Sequence, residues 1–237
     1  YVVKSNMRNY AKEFLFDIAK TINKPLVYIW KYPGTYRNIF NIRIDVDPDK
    51  NSSEIEALKR INRTFNIGKN YIDRSSWMIN FYRRMPNIDF LEKYIKQNYD
   101  IQSHAYYHCL FPLRSINYDN IKLAHSLLNK LGVKPVGFNA PEYFWYNHTA
   151  EIIEDMGYQY SNSFGYDQLN YPYKPLINNK LRSYFEIAPS ATNFNRFFSS
   201  LPDNSISNIK KYFIKLFESN YNADIPLLFY IHPQLEG

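Results

Sequence analysis

Four short apolar runs in this chain each end on residues with chemistry to offer, and that pattern restricts the possible folds more than any other feature. "NIFNIRIDVD" ends on Asp45 and Asp47, "YDIQ" delivers His104, "KPVGF" ends at Asn139, Ala140 and Pro141, and "IPLLFYIH" finishes at His232. With "SWMINFY" they read as strands, and "YQYSNSF" as an extended segment. Helical patterns alternate with them. Residues 7 to 22 form one, ending before Lys24-Pro25, and a capping box of Ser53 and Glu56 opens another through about Phe65, with Gly68 as its stop. "DFLEKYIKQN" is a third. Ile121, Ala124, Leu127, Leu128 and Leu131 recur at helical spacing before Gly132, Thr149 caps "AEIIEDM" before Gly157, and Ile209, Tyr212, Phe213 and Leu216 line one helical face. Such alternation predicts an α/β fold with mostly parallel strands. In a parallel sheet or barrel the carboxyl ends of the strands share one face, where an active site lies, so the four chemical endings are expected to converge.

Length and composition narrow the classes. The 237 residues suit one domain with one large core. A single cysteine, Cys109, excludes an internal disulfide framework, and no uncharged run approaches the roughly 20 residues of a membrane span. The net charge of +7 comes from lysines scattered among Asn, Ile and Tyr rather than gathered in a patch, so no nucleic-acid partner is expected. Tyr1 in place of a methionine leaves room for an upstream signal peptide or domain, and localisation stays open.

Histidines four apart, His104 and His108, lie on one side of a helical turn, so both can reach one ion, and a carboxylate completes a three-ligand set. Between them stand Ala105, Tyr106 and Tyr107, without the glutamate of the HExxH zinc proteases, so a base must come from elsewhere. Asp45 and Asp47, two apart at a strand end, supply a base and a ligand. Other uses of "DVDPD" fit less well. An EF-hand loop is contradicted by Lys50 at the turning-glycine position, by Pro48 and by a β-rich lead-in, while a D-x-D phosphatase or glycosyltransferase has no need of His104, His108 and His232.

Taken in order, "IRIDVDPD", "DIQSHAYYH", "GFNAPEYFW", "DMGYQYSNSFGYD", "YFEIAPS" and "LLFYIHP" resemble the motifs of polysaccharide deacetylases of the NodB-like type, carbohydrate esterase family four. The resemblance runs from about residue 38 to the end, leaving residues 1–37 as an N-terminal extension. It implies a distorted (β/α) barrel, usually of seven strands, and a hydrolase that removes acetyl groups from N-acetylated sugars or polysaccharides with water activated by a divalent metal, most often Zn2+, with Co2+, Ni2+ or Mn2+ also suited to His and carboxylate ligands. By position it implies Asp45 as general base, Asp47, His104 and His108 as metal ligands, and His232 as general acid, with a nearby carboxylate to keep that imidazole protonated. Asn139, Pro141, Tyr143 and Trp145 are the candidate substrate-binding residues, with plain packing the other reading of Tyr143 and Trp145.

One position departs from the pattern. Asn139 stands where that family usually has an arginine that orients the base, which opens the alternative of a carbohydrate-binding homologue with impaired turnover. Arg43 and Arg182 are the residues available to supply the missing cation. His125, His148 and Cys109 read as structural, Tyr106 and Tyr107 as either packing or sugar-stacking residues, and Pro233 as the end of the last strand. Substrate selection is expected from residues 69–90 and 165–200.

Overall fold

A computed structural model describes residues 2–25, 35–47, 63, 75–82, 91–92, 95–97, 99–163, 171–189 and 205–232. Along the chain run α1 (Val2–Thr21), β1 (Phe40–Val46), β2 (Ser76–Ile79), β3 (Asp100–Ser103), α2 (Arg114–Lys130), β4 (Gly137–Phe138), a 3-10 turn (Pro141–Tyr143), α3 (Asn147–Asp155), β5 (Tyr160–Ser161), β6 (Leu176–Ile177), β7 (Lys180–Leu181), β8 (Phe185–Glu186), α4 (Ile206–Asn222) and β9 (Leu227–Ile231). Seven strands form one parallel sheet in the order β8-β5-β4-β3-β2-β1-β9, curled into a half-barrel, while β6 and β7 make a separate antiparallel pair. The expected seven-stranded α/β barrel architecture is the one observed.

Alternation along each strand sorts its side chains. Ile44, Trp77, Ile79 and Ile101 point outward and pack with Ala124 and Leu128 of α2 in one core cluster; burial of each large apolar side chain there contributes about 1.5–3 kcal/mol. A second cluster joins Ile121, Phe138, Ala150, Ile152, Ile153 and Tyr158, and a third sets Leu216 of α4 on Leu227 and Phe229 of β9. With the apolar residues committed to the outer face, the intervening positions Arg43, Asp45, Gln102, His104, Tyr230 and His232 are left for the concave side.

Helix ends follow the expected signals at Gly132 and Gly157, whose φ values of 79° and 78° need no Cβ. Three details differ from expectation. Helix α1 starts at Val2 rather than residue 7. Helix α3 starts at Asn147 without a side-chain cap, because the Thr149 hydroxyl is buried inside the helix and accepts from Asn117 Nδ2 (3.0 Å). "KPVGF" yields only a two-residue strand, since the amides of Val136 and Gly137 donate to Gln102 Oε1 (2.7 and 2.6 Å) instead of to a neighbouring strand. The Ser53–Glu56 capping box, Gly68 and Pro233 lie outside the described residues, as does most of 69–90; of "DFLEKYIKQN", residues 91–92 and 95–96 are helical.

Candidate metal centre and active site

The pair His104 and His108 meets at one carboxylate, but not across a helical turn as the spacing suggested. Residues 106–109 are bends and Ala105 is left-handed (φ 56°). Two asparagines from elsewhere in the chain account for this. Asn80 Nδ2 donates to the carbonyls of His104 (3.0 Å) and Ala105 (3.2 Å). Asn120 Oδ1 accepts from the amides of Tyr106 (3.1 Å) and Tyr107 (2.7 Å), and its Nδ2 donates to the Cys109 carbonyl (2.9 Å). These bonds occupy the backbone groups a helix would have paired within itself.

Asp47, one residue past β1, is the common partner. Its Oδ1 lies 3.2 Å from His104 Nε2 and 2.9 Å from His108 Nε2, and its Oδ2 lies 3.2 Å from His232 Nε2. Burial alone would raise the Asp47 pKa, but the hydrogen bonds from the three imidazoles outweigh it and hold the carboxyl well below the usual carboxylate range. For His108, burial pulls downward and contact with Asp47 pulls upward more strongly, so its pKa is raised. His104 Nδ1 lies 2.9 Å from the Asn139 carbonyl, a contact on the far side of the ring that sets Nε2 toward Asp47. His108 Nδ1 lies 3.6 Å from Glu142 Oε1.

One ligand atom each from Asp47, His104 and His108 fit within 4.8 Å of one another. The donors fit a small divalent cation: two imidazole nitrogens and a carboxylate oxygen, with Asp–His separations close to the roughly 3.3 Å edge of a tetrahedron with bonds of about 2.0–2.1 Å.

Asp45, 3% exposed, faces this cluster. Its Oδ2 accepts from Arg43 Nη2 at 2.7 Å and lies 3.5 Å from Asn139 Nδ2, while its Oδ1 is buried with no hydrogen-bond partner among the described residues. The carboxylates expected beside His232 are Asp47 and, at 4.0 Å, Asp45 itself. Arg43 is thus the cation beside Asp45. Arg182, the other candidate, is committed to Glu154 (3.1 Å), Glu151 (3.5 Å) and the Ile177 carbonyl (3.0 Å).

Among the substrate-side residues, Asn139 and Pro141 are buried, and the Tyr143 hydroxyl accepts from Arg43 Nη2 (2.8 Å), with burial pushing its pKa up. Trp145 is half-buried against the second core cluster. Tyr107 lies at the surface and contacts Tyr82, Tyr106 and Phe111 through tilted and edge-on ring pairs. His125 packs edge-on against Tyr158 and His148 stacks on Tyr146, both apart from the cluster. Cys109 is a free thiol whose pKa is raised by burial. Glu142, Asn80 and Asn120 were not foreseen. Glu142 stands inside "GFNAPEYFW", but nothing local in the sequence marks the two asparagines.

Comparison with solved structures finds this fold elsewhere. A protein described as a polysaccharide deacetylase from Mycobacterium smegmatis superposes with a TM-score of 0.69 at 16% identity, covering 89% of this chain and 82% of that one. Another from Pseudomonas aeruginosa PAO1 gives 0.63 at 16% identity, with coverages of 90% and 83%. The 4-alpha-glucanotransferase from Thermococcus litoralis gives 0.59 at 13% identity over 85% of this chain, which spans only 34% of that protein. At these identities the likeness is one of fold, and it is at this level that the resemblance to polysaccharide deacetylases holds. No curated protein matches the sequence. Among the described residues, no helix is long and apolar enough to cross a membrane. The family whose model matches the sequence is a different one from that suggested by the motifs, and its match covers residues 28–215. The chain belongs to glycosyl hydrolase family 57.

Proposed function

We propose that the protein is a metal-dependent hydrolase that removes acetyl groups from an N-acetylated sugar or polysaccharide. The observation that carries this reading is Asp45, a buried carboxylate with one oxygen held by Arg43 and the other without a donor among the described residues, set beside a three-donor cation cluster. Asp47, His104 and His108 would hold the cation, Zn2+ first among those that suit this donor set. When bound, such an ion supplies Lewis acidity toward a carbonyl and lowers the pKa of water. Asp45 acts as general base through its open oxygen, Oδ1. His232, held by Asp47 and near Asp45, then delivers a proton to the departing amine. Amide hydrolysis requires these two proton transfers.

Family membership favours a second reading, cleavage of a glycosidic bond, which calls for two carboxylates flanking the scissile bond. Asp45 and Glu142 are then the pair, since Asp47 is engaged by three imidazoles.

The test is metal content by mass spectrometry on wild type and a His104→Ala/His108→Ala variant after zinc reconstitution, with amine release and new reducing ends measured on acetylated chito-oligosaccharides. One equivalent of metal lost in the variant, with amine release, is the expected result. Reducing ends without amine favour the glycosidase, metal without either product favours a binding role, and no metal in wild type refutes the catalytic centre.

A further inference from the structure

We infer that Arg43 is the positioning residue of Asp45 and that Asn139 anchors it, an inference that rests on Asp45 being the base. Arg43 lies two residues before Asp45 on β1, so both side chains emerge on the concave face. Its side chain is 1% exposed, and a guanidinium so buried has to be paired. The pairing uses much of the sheet. Nη2 donates to Asp45 Oδ2 (2.7 Å) and to the Tyr143 hydroxyl (2.8 Å). Nη1 donates to Asn139 Oδ1 (3.2 Å) and to both the carbonyl and the side-chain oxygen of Asn162. The guanidinium carbon lies 4.6 Å from the ring centre of Tyr230, its register partner on β9.

The planar fork is thereby fixed from β1, from the segments after β4 and β5, and from β9, which a flexible point charge could not be. Fixing the fork also fixes which Asp45 oxygen is occupied. Oδ2 is held and Oδ1 is presented. Two successive left-handed residues, Glu142 (φ 54°) and Tyr143 (φ 56°), lie in the turn that carries the Tyr143 hydroxyl to Arg43. Asn139 completes the arrangement, because its Oδ1 receives Arg43 while its Nδ2 lies 3.5 Å from the same Asp45 oxygen. An arginine at position 139 would start within reach of the same carboxylate, so the charge is exchangeable between the two positions.

That exchange is the experiment. Arg43→Met, Arg43→Lys and the swap Arg43→Asn/Asn139→Arg are compared with wild type for kcat and KM of amine release, zinc content and melting temperature. Misaiming the base predicts a loss of about 100-fold in kcat for Arg43→Met with KM and zinc content unchanged, an intermediate value for Arg43→Lys, and recovery of at least about ten-fold in the swap. A purely structural role would lower the melting temperature without such a split, and the swap would not restore kcat. Should Arg43→Met fail to fold, a folded swap variant decides, and its inactivity overturns the inference. Wild type without amine release refutes the base reading itself, whereas an active wild type matched by Arg43→Met refutes only the role of Arg43.

Discussion

Asn120→Ala separates the loop that presents the histidines from the helix that holds it. Asn120 is 2% exposed on α2, and its side chain makes three hydrogen bonds to the loop backbone at Tyr106, Tyr107 and Cys109. Alanine removes all three and leaves two amides and a carbonyl of a partly buried loop without these partners. At about 1 kcal/mol per bond, the expected loss is about 3 kcal/mol, or roughly a hundred-fold in the folding equilibrium. The same change frees His108 from its fixed approach to Asp47, so zinc affinity should fall as well. Asn117→Ala is the control. Asn117 is three residues earlier on the same helix, but its side chain serves Phe111 N (3.4 Å) and Thr149 Oγ1 (3.0 Å), beyond the histidine loop. Urea unfolding of the metal-free proteins gives the stability difference, and competition with a chromogenic chelator gives the zinc affinity. Both variants should be destabilised and only Asn120→Ala should bind zinc more weakly. Equal zinc affinities, or a cost under about 1 kcal/mol for Asn120→Ala, would refute the account of the loop.

Two further outcomes are expected. In Gly137→Ala the new Cβ would overlap the Tyr160 ring, displacing a hydroxyl that donates to Asp100 Oδ2 (3.1 Å); thermal unfolding should show a loss of about 1–3 kcal/mol, and an unchanged melting temperature would mean that β4 and β5 are not packed as described. The pH dependence has opposite signs with and without metal. Because Asp47 raises the pKa of His108 in the folded state, that histidine stabilises the metal-free protein below its unfolded pKa, and the contribution is lost as pH rises through the raised folded value. Zinc binding requires the proton to leave, so zinc affinity rises over the same interval. Melting temperatures measured against pH with chelator and with zinc should converge at low pH and separate as pH rises; parallel curves would contradict the Asp47–His108 contact.

The strand endings were legible in the sequence because a strand in a curled parallel sheet has only two faces and one carboxyl end. Asp45, Asp47, His104 and His232 are brought together by that rule. The same rule places Arg43 on the face of Asp45, a two-residue interval visible in "IRIDVD". The path between His104 and His108 was not legible, since spacing of four suggests a helical turn while Asn80 and Asn120, more than ten residues away, impose bends. Likewise the shortness of β4 follows from one side chain, Gln102, which lies 34 residues before the amide of Val136 that it captures. The family was read less well than the fold. A sheet that gathers carboxylates and imidazoles at its strand ends serves several kinds of bond cleavage, so motifs at those ends identify the scaffold before they identify the chemistry.

The pairing of β1 with β9, Phe40 against Leu227 and Arg43 against Tyr230, joins the first strand of the chain to the last. Asp47, His104 and His108 all come from the earlier half of the chain, whereas His232 and the aromatic face over Arg43 arrive with the strand synthesised last of the seven. Closing a loop of such length costs chain entropy that the pairing itself has to offset. A nascent chain can therefore gather its cation donors while still lacking both the proton donor and the final clamp on the base. The reactive constellation becomes complete only when the last strand pairs with the first.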